Sequence, residues 1–209
     1  MANEWQSTEH ALGYLKIADT IPHRTDGEAV LLDEEPKDAR SILDLGCGDG
    51  RLMSLLLLHC PSATGVAVDF SPAMLQRLQE RFGSDNRVRV LQHELDHALP
   101  DFGMFDIVAS SFAIHHLTDE RKRTLYEEIW DRLLPGGVFC NLEHVASPSD
   151  RIHRRFYDAI GVDVKDEDPS NKLLDVETQL RWLREIGFQD VDCYWKWREL
   201  ALLIGKKAE

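Results

Sequence analysis

Ser41-Ile-Leu-Asp-Leu-Gly-Cys-Gly-Asp-Gly50 is the stretch that decides the fold. Its apolar run ends at Asp44 and opens into glycines at every second position, Gly46, Gly48 and Gly50, with a helical pattern from Arg51 to His59 directly behind. A strand, a tight turn and a helix in that order make the first unit of a doubly wound α/β domain. Glycine accepts positive φ and carries no Cβ, so a ligand can lie against the bare backbone of such a turn. Asp44 adds a carboxylate at the strand end. Two common readings of a glycine turn fail. A dinucleotide fingerprint needs a small residue at its sixth position, where helix and strand pack closely, and the frame from Gly46 places Arg51 there. A Walker phosphate loop needs a following Gly-Lys-Ser/Thr, which is missing.

The segments downstream extend the pattern. Ala63-Thr-Gly-Val-Ala-Val-Asp69 reads as a second buried strand ending in a carboxylate. Asp69 lies 19 residues past Gly50, about where α/β folds place the acid that accepts from ribose hydroxyls; its plainer use is as a helix-flanking acid at the positive end of the dipole. Phe70-Ser-Pro-Ala-Met-Leu75 opens a helix with Ser71 as N-cap and Pro72 at the first helical position. Val88 to Leu95 alternates toward a third strand, and Phe105-Asp-Ile-Val-Ala-Ser110 makes a fourth, leading into Ser111-Phe-Ala-Ile-His-His-Leu117. Leu133-Leu-Pro-Gly-Gly-Val-Phe-Cys-Asn-Leu-Glu143 reads as a turn and a fifth strand.

In this order the motifs resemble those of the class I S-adenosylmethionine (SAM) dependent methyltransferases: D-x-G-x-G-x-G, V-D-x-S-x-x-M-L, F-D-x-V…H-H-L and L-x-P-G-G, over about residues 41 to 145. The G-F-x-x-V near the end fits more loosely. The resemblance implies a Rossmann-like, doubly wound, seven-stranded sheet, mostly parallel with an antiparallel last strand and a helical N-terminal lid. It implies SAM as cofactor and S-adenosylhomocysteine as product. It assigns the cofactor to Asp44, Gly46, Gly48, Gly50, Asp69, Phe70, Met74, Glu94, Leu95 and Ser110. One position departs: the family's third strand usually ends in Gly-Asp, whose carboxylate takes the adenine amino group, and this chain has His93-Glu94, where Glu94 can make the same bond on a longer arm. A looser resemblance, in the N-terminal Ile-Pro and the tail, is to carboxy-SAM synthases. Those depart from the glycine motif that this chain keeps whole. A non-catalytic SAM-binding protein is a third alternative, against which the complete turn and both aspartates argue.

Composition is consistent with one domain of 209 residues. The formal charge of −13, spread without a basic block, argues against nucleic acid or an anionic membrane as partner. Four scattered cysteines, Cys47, Cys60, Cys140 and Cys193, have no C-x-x-C or zinc spacing, so reduced thiols, no metal and a cytoplasmic location are expected. No apolar run is long enough to span a bilayer.

Four parts are expected: a mostly helical lid over 1–40, the SAM-binding core over 41–147, a lid insert over 148–175 with a helix from Arg151 to Ile160, and a C-terminal helix and strand pair over 176–209. In the first part, Trp5, Ala11, Leu12, Leu15, Ile17 and Ala18 give partial helical periodicity. Open α/β sheets bind ligands at the carboxyl ends of their strands. The candidates for catalysis are therefore His115, Glu143 and His144, and those for binding a small-molecule acceptor are His23, Arg24, Phe112 and Tyr157. Each has a plainer reading. His116 or His115 can satisfy backbone beneath the loop, Glu143 can cap a loop, His23 and Arg24 can flank a helix in solvent, and Trp195 and Trp197 can pack a core or a dimer face. A monomer or a homodimer is expected.

Overall fold

The structure, a computed structural model, describes residues 21–209 together with Ser7, Glu9 and Gly13. The helical periodicity at Trp5, Ala11, Leu12, Leu15, Ile17 and Ala18 lies outside the described residues. Seven strands form one sheet: β1 (Ser41–Leu45), β2 (Thr64–Asp69), β3 (Val88–Gln92), β4 (Phe105–Ser111), β5 (Leu133–His144), β6 (Gln189–Trp197) and β7 (Leu200–Lys206). Their spatial order is β3-β2-β1-β4-β5-β7-β6. The first five pair in parallel, and β7 runs antiparallel to both β5 and β6. The strand order reverses between β1 and β4, and that switch point opens the crevice where such sheets bind ligands.

Helices cover both faces. α1 (Arg24–Glu34), α2 (Arg51–His59) and α3 (Pro72–Phe82) send Leu31, Leu52, Met53, Leu56, Leu78 and Phe82 onto the face that carries Ile42, Ala67 and Ile107. α4 (Asp119–Arg132) and α6 (Val176–Ile186) pack Leu125, Tyr126, Ile129, Leu180 and Leu183 against Leu43, Leu45, Val66 and Val108 on the other. The period-two alternation of β1 thus feeds two separate cores. α5 (Asp150–Ile160) packs Phe156 and Tyr157 with Leu200 near the β5 and β7 ends.

Local chemistry explains the boundaries. Thr118 caps α4 by accepting from Arg121 N at 3.3 Å, and Asp175 caps α6 by accepting from Thr178 N at 2.8 Å. Gly161 and Gly187, both at positive φ, end α5 and α6. Three expectations need correction. Ser71 does stand at the N-cap of α3, but its hydroxyl makes no capping bond; its amide donates to Asp69 Oδ1 at 2.8 Å. Leu133-Leu-Pro-Gly-Gly is not a separate turn. β5 begins at Leu133 and bulges, so that Phe105 and Ile107 of β4 lie opposite Leu133 and Val138. The third strand is shorter than its alternation suggests and ends at Gln92.

The candidate active site

Each glycine of the first turn has its own reason to be glycine. At Gly46 (φ +66°) a Cβ would stand 2.3 Å from Ala113 Cβ, and at Gly50 (φ +82°) 2.4 Å from the Phe82 ring. Those two let the turn pack. At Gly48 (φ +56°) a Cβ would meet nothing within 4 Å, so this backbone faces open space. Asp69 Oδ2 accepts the Gly48 amide at 2.9 Å, which ties the β2 end to the turn. Burial pushes the Asp69 pKa up to about 6 against the pull of the Ser71, Gly48 and Phe70 amides.

Beneath the turn, Asp44 is fully buried, and neither oxygen has a hydrogen-bond partner among the described residues. Burial pushes its pKa up to about 7; the Met53 amide opposes this and the Asp69 and Asp49 charges add to it. An unpartnered carboxylate, a bare backbone wall and an Asp69 whose oxygens keep spare lone pairs fit a cofactor with a cationic end and a ribose diol. Glu94 is half-buried at the next strand end, with His97 Nδ1 3.9 Å away. Phe70, next to Asp69 in sequence, is half-buried. Met74 and Leu95 are core side chains, and the Ser110 hydroxyl is occupied by Leu45 O at 2.8 Å. Of the cofactor residues expected from sequence, Gly46, Gly50, Met74, Leu95 and Ser110 are thus closely packed, buried or hydrogen-bonded within the protein.

The side expected to take the acceptor lies past β4 and β5. The chain leaves β4 through Phe112 at φ +53°, a strained corner for an aromatic residue. It then enters a 3₁₀ turn, Ile114–His116, which buries His115. His115 Nδ1 meets Glu143 Oε1 at 2.5 Å. The same oxygen accepts the His144 amide at 2.9 Å, while Glu143 Oε2 is buried without a partner among the described residues. Burial pushes the Glu143 pKa up to about 7 and holds the His115 pKa well below its ordinary value. His115 is thus a neutral imidazole that shares one proton with the Glu143 carboxyl through Nδ1; with that proton on Nδ1, Nε2 is its acceptor nitrogen.

Around this pair sit the other expected residues. The His144 and His115 ring centroids are 5.7 Å apart, and His144 lies 5.1 Å from the Phe156 ring. His116 turns away, and its Nδ1 meets the Ser170 hydroxyl at 2.9 Å. Of the two adjacent histidine side chains, that of His116 anchors a covering segment. His23 stacks on Trp197 at 4.5 Å, and the Arg24 guanidinium lies 5.3 Å from the centre of the Phe112 ring while pairing with Glu28 at 3.1 Å. The sheet face carries the rest of α1, so only its first residues reach the site. Tyr157 is buried beside His153, with ring centroids 5.0 Å apart. His153 and Glu199 were not foreseen; Glu199 meets His144 Nε2 at 3.0 Å and His153 Nδ1 at 3.0 Å. Nothing in a hairpin-turn glutamate or a lone helix histidine marks either in the sequence.

Sheet order, glycine turn and strand-end acids define a class I SAM-dependent methyltransferase. Comparison with known proteins agrees. A methyltransferase domain model matches residues 42–137. An uncharacterized methyltransferase of Mycobacterium bovis is 36% identical over 125 residues, 59% of this chain and 60% of its own. A demethylmenaquinone methyltransferase of Clavibacter sepedonicus is 30% identical over 175 residues, 75% of this chain and 69% of its own. A carboxy-S-adenosyl-L-methionine synthase of Chromohalobacter salexigens is 25% identical over 185 residues, 79% of this chain and 68% of its own. Human N-acetylserotonin methyltransferase, solved in complex with SAM, shares the fold with a TM-score of 0.71 at 16% identity, over 99% of this chain and 58% of that one. The chain belongs to the SAM-dependent methyltransferase family. It spans about 60% of the length of the mycobacterial relative. Among the described residues no helix is long and apolar enough to cross a membrane, and no cluster of three or more His, Cys, Asp or Glu residues could hold a metal ion.

Proposed function

We propose that the protein methylates a small molecule whose accepting atom carries a proton, with His115 as the base and Glu143 as its support. One observation carries this reading: a buried histidine whose Nδ1 lies 2.5 Å from the Glu143 carboxyl, at the carboxyl end of β4 and β5. Bound SAM supplies a methyl group made electrophilic by its sulfonium. Gly48, Asp69 and Asp44 would hold that cofactor, with Glu94 and Phe70 at its adenine end. His115 Nε2 takes the acceptor's proton as the new bond to the methyl forms. Glu143 then faces a cationic ring, whose charge its ionised form stabilises in a buried setting. Ile21 to Arg24 and residues 148–175 cover the acceptor side, and the aromatic surfaces of Phe112, Phe156 and Trp197 favour an acceptor with an apolar body. The net charge of −13 supports a neutral or cationic small molecule over a nucleic acid.

Carboxy-SAM synthesis is the second reading, favoured by a relative aligned over 79% of the chain. The intact glycine turn and the His115–Glu143 pair support ordinary transfer. Mass spectrometry of the protein incubated with SAM and a metabolite extract separates them. Methyl transfer yields S-adenosylhomocysteine and one metabolite heavier by one CH₂. A carboxylated sulfonium would establish the second reading, and unconsumed SAM across extracts would leave a binding protein.

A further inference from the structure

The acceptor side contains a second histidine–carboxylate system. Glu199 sits in the turn between β6 and β7, yet its side chain is 0% exposed. Carboxylates are almost never fully buried unless paired, and here the pairing runs through a chain of four side chains. His144 Nε2 meets Glu199 Oε2 at 3.0 Å, His153 Nδ1 meets Glu199 Oε1 at 3.0 Å, and His153 Nε2 meets Glu167 Oε2 at 3.2 Å. The chain joins the end of β5, the β6–β7 turn, α5 and the segment after the 3₁₀ turn Val164–Asp166.

The proton count follows from the geometry. An ionised carboxylate only accepts, so a ring nitrogen facing one must carry a hydrogen. Both nitrogens of His153 face carboxylates, so His153 is an imidazolium. His144 donates from Nε2, which leaves Nδ1 as its acceptor nitrogen. Partial burial pulls the His153 pKa down, but Glu199 and Glu167 outweigh it and hold the group above the usual histidine value. For Glu199, the bonds from His144, Ser147 and His153 outweigh burial and keep its pKa low. Tyr157, on the same helix, is the other titratable group against this ring, and Arg154 and Arg155 are exposed.

We propose that Glu199 is a positioning residue for methyl transfer: through the chain His144–Glu199–His153–Glu167 it fixes His144 in the Nε2–H tautomer beside the reacting groups, and the chain is complete only while His153 is an imidazolium. The proposal rests on the methyl-transfer reading for its purpose, but not for its structure. Charge explains why a neutral partner cannot replace His153. A neutral imidazole has one N–H, so it would drop either Glu199 or Glu167 and loosen the cover of the site.

Histidine ¹⁵N NMR on the full chain tests the structure without any turnover. His153, assigned through His153→Gln, should show two protonated ring nitrogens at neutral pH and titrate above the usual value of about 6.5. Glu199→Gln should lower that midpoint by about one pH unit or more and abolish the Nε2–H preference of His144. Affinity for S-adenosylhomocysteine should stay within about threefold, while kcat with the acceptor falls and its pH profile moves. Glu167→Gln should lower the His153 midpoint and spare the His144 tautomer, which keeps the test open if Glu199→Gln fails to fold. A His153 midpoint that neither substitution moves, or an Nδ1–H tautomer at wild-type His144, overturns the chain. The NMR signature with an unchanged kcat in Glu199→Gln overturns the positioning role. Absence of methyl transfer, with the NMR signature present, refutes the functional reading alone.

Discussion

Gly48 shows how much one residue can report. The glycine spacing was plain in the sequence, but not that Gly46 and Gly50 serve packing and Gly48 alone faces open space. That division needs the third dimension, because Ala113 and Phe82 come from distant segments. In Gly48→Val the Cβ therefore meets nothing within 4 Å, and the residue carries the strain of a β-branched side chain at positive φ, about 1–2 kcal/mol. Calorimetry should show binding of S-adenosylhomocysteine lost in a folded protein; unchanged affinity would contradict the cradle. The two aspartates give a proton-linked prediction. Their pKa values stand at about 7 for Asp44 and about 6 for Asp69, both raised by burial. A cationic ligand favours their charged forms and lowers both values, so binding must release protons and tighten as pH rises through about 6 to 7. Calorimetry of SAM binding in two buffers of different ionisation enthalpy reads that release, and proton uptake would contradict it.

Among the elements, α1 departs most from its sequence reading. Weak periodicity and an N-terminal position suggest a lid, whereas the helix packs Leu31 into the core on one sheet face and offers only His23 and Arg24 to the site. Its C-cap is Glu35, 4% exposed, with neither oxygen hydrogen-bonded among the described residues. Burial, partly offset by the Cys140 thiol and Lys206, pushes its pKa from 4.5 to about 8. The unfolded chain gives up this proton near 4.5 and the folded one holds it to about 8, so the wild type loses stability as pH rises between those values. Glu35→Gln removes that loss. Its unfolding free energy from urea titration should climb relative to wild type across this window, by up to a few kcal/mol, and run parallel to it on either side. A constant difference across the window would mean that Glu35 is already ionised at low pH. The last hairpin teaches the complementary lesson. The strand pattern locates β6 and β7, but Glu199 in their turn looks like any solvated acid until α5 brings His153 onto it.

At the scale of the whole molecule, the strand order β3-β2-β1-β4-β5-β7-β6 explains why residues from five regions of the chain meet. β1 and β2 end in the acids of the cofactor side. β4 and β5, across the switch point, end in His115 and Glu143–His144. The order of strand-end motifs in the sequence was enough to anticipate this division, because parallel strands of a doubly wound sheet all present their carboxyl ends to one edge. The tautomers, the burial of the acids and the way residues 168–172 are tied over the histidines were not legible, since each depends on contacts between remote segments. Lys172, for example, donates its amide to His115 O at 2.9 Å and its ammonium to His116 O.

The central claim is that His115 removes a proton during methyl transfer and takes no part in holding the cofactor. The most direct test is the rate of S-adenosylhomocysteine formation by His115→Ala with a saturating acceptor, measured beside its affinity for S-adenosylhomocysteine. The predicted result is a kcat lower by about 10²–10⁴-fold with affinity within about threefold of wild type. A variant that turns over at the wild-type rate would contradict the account.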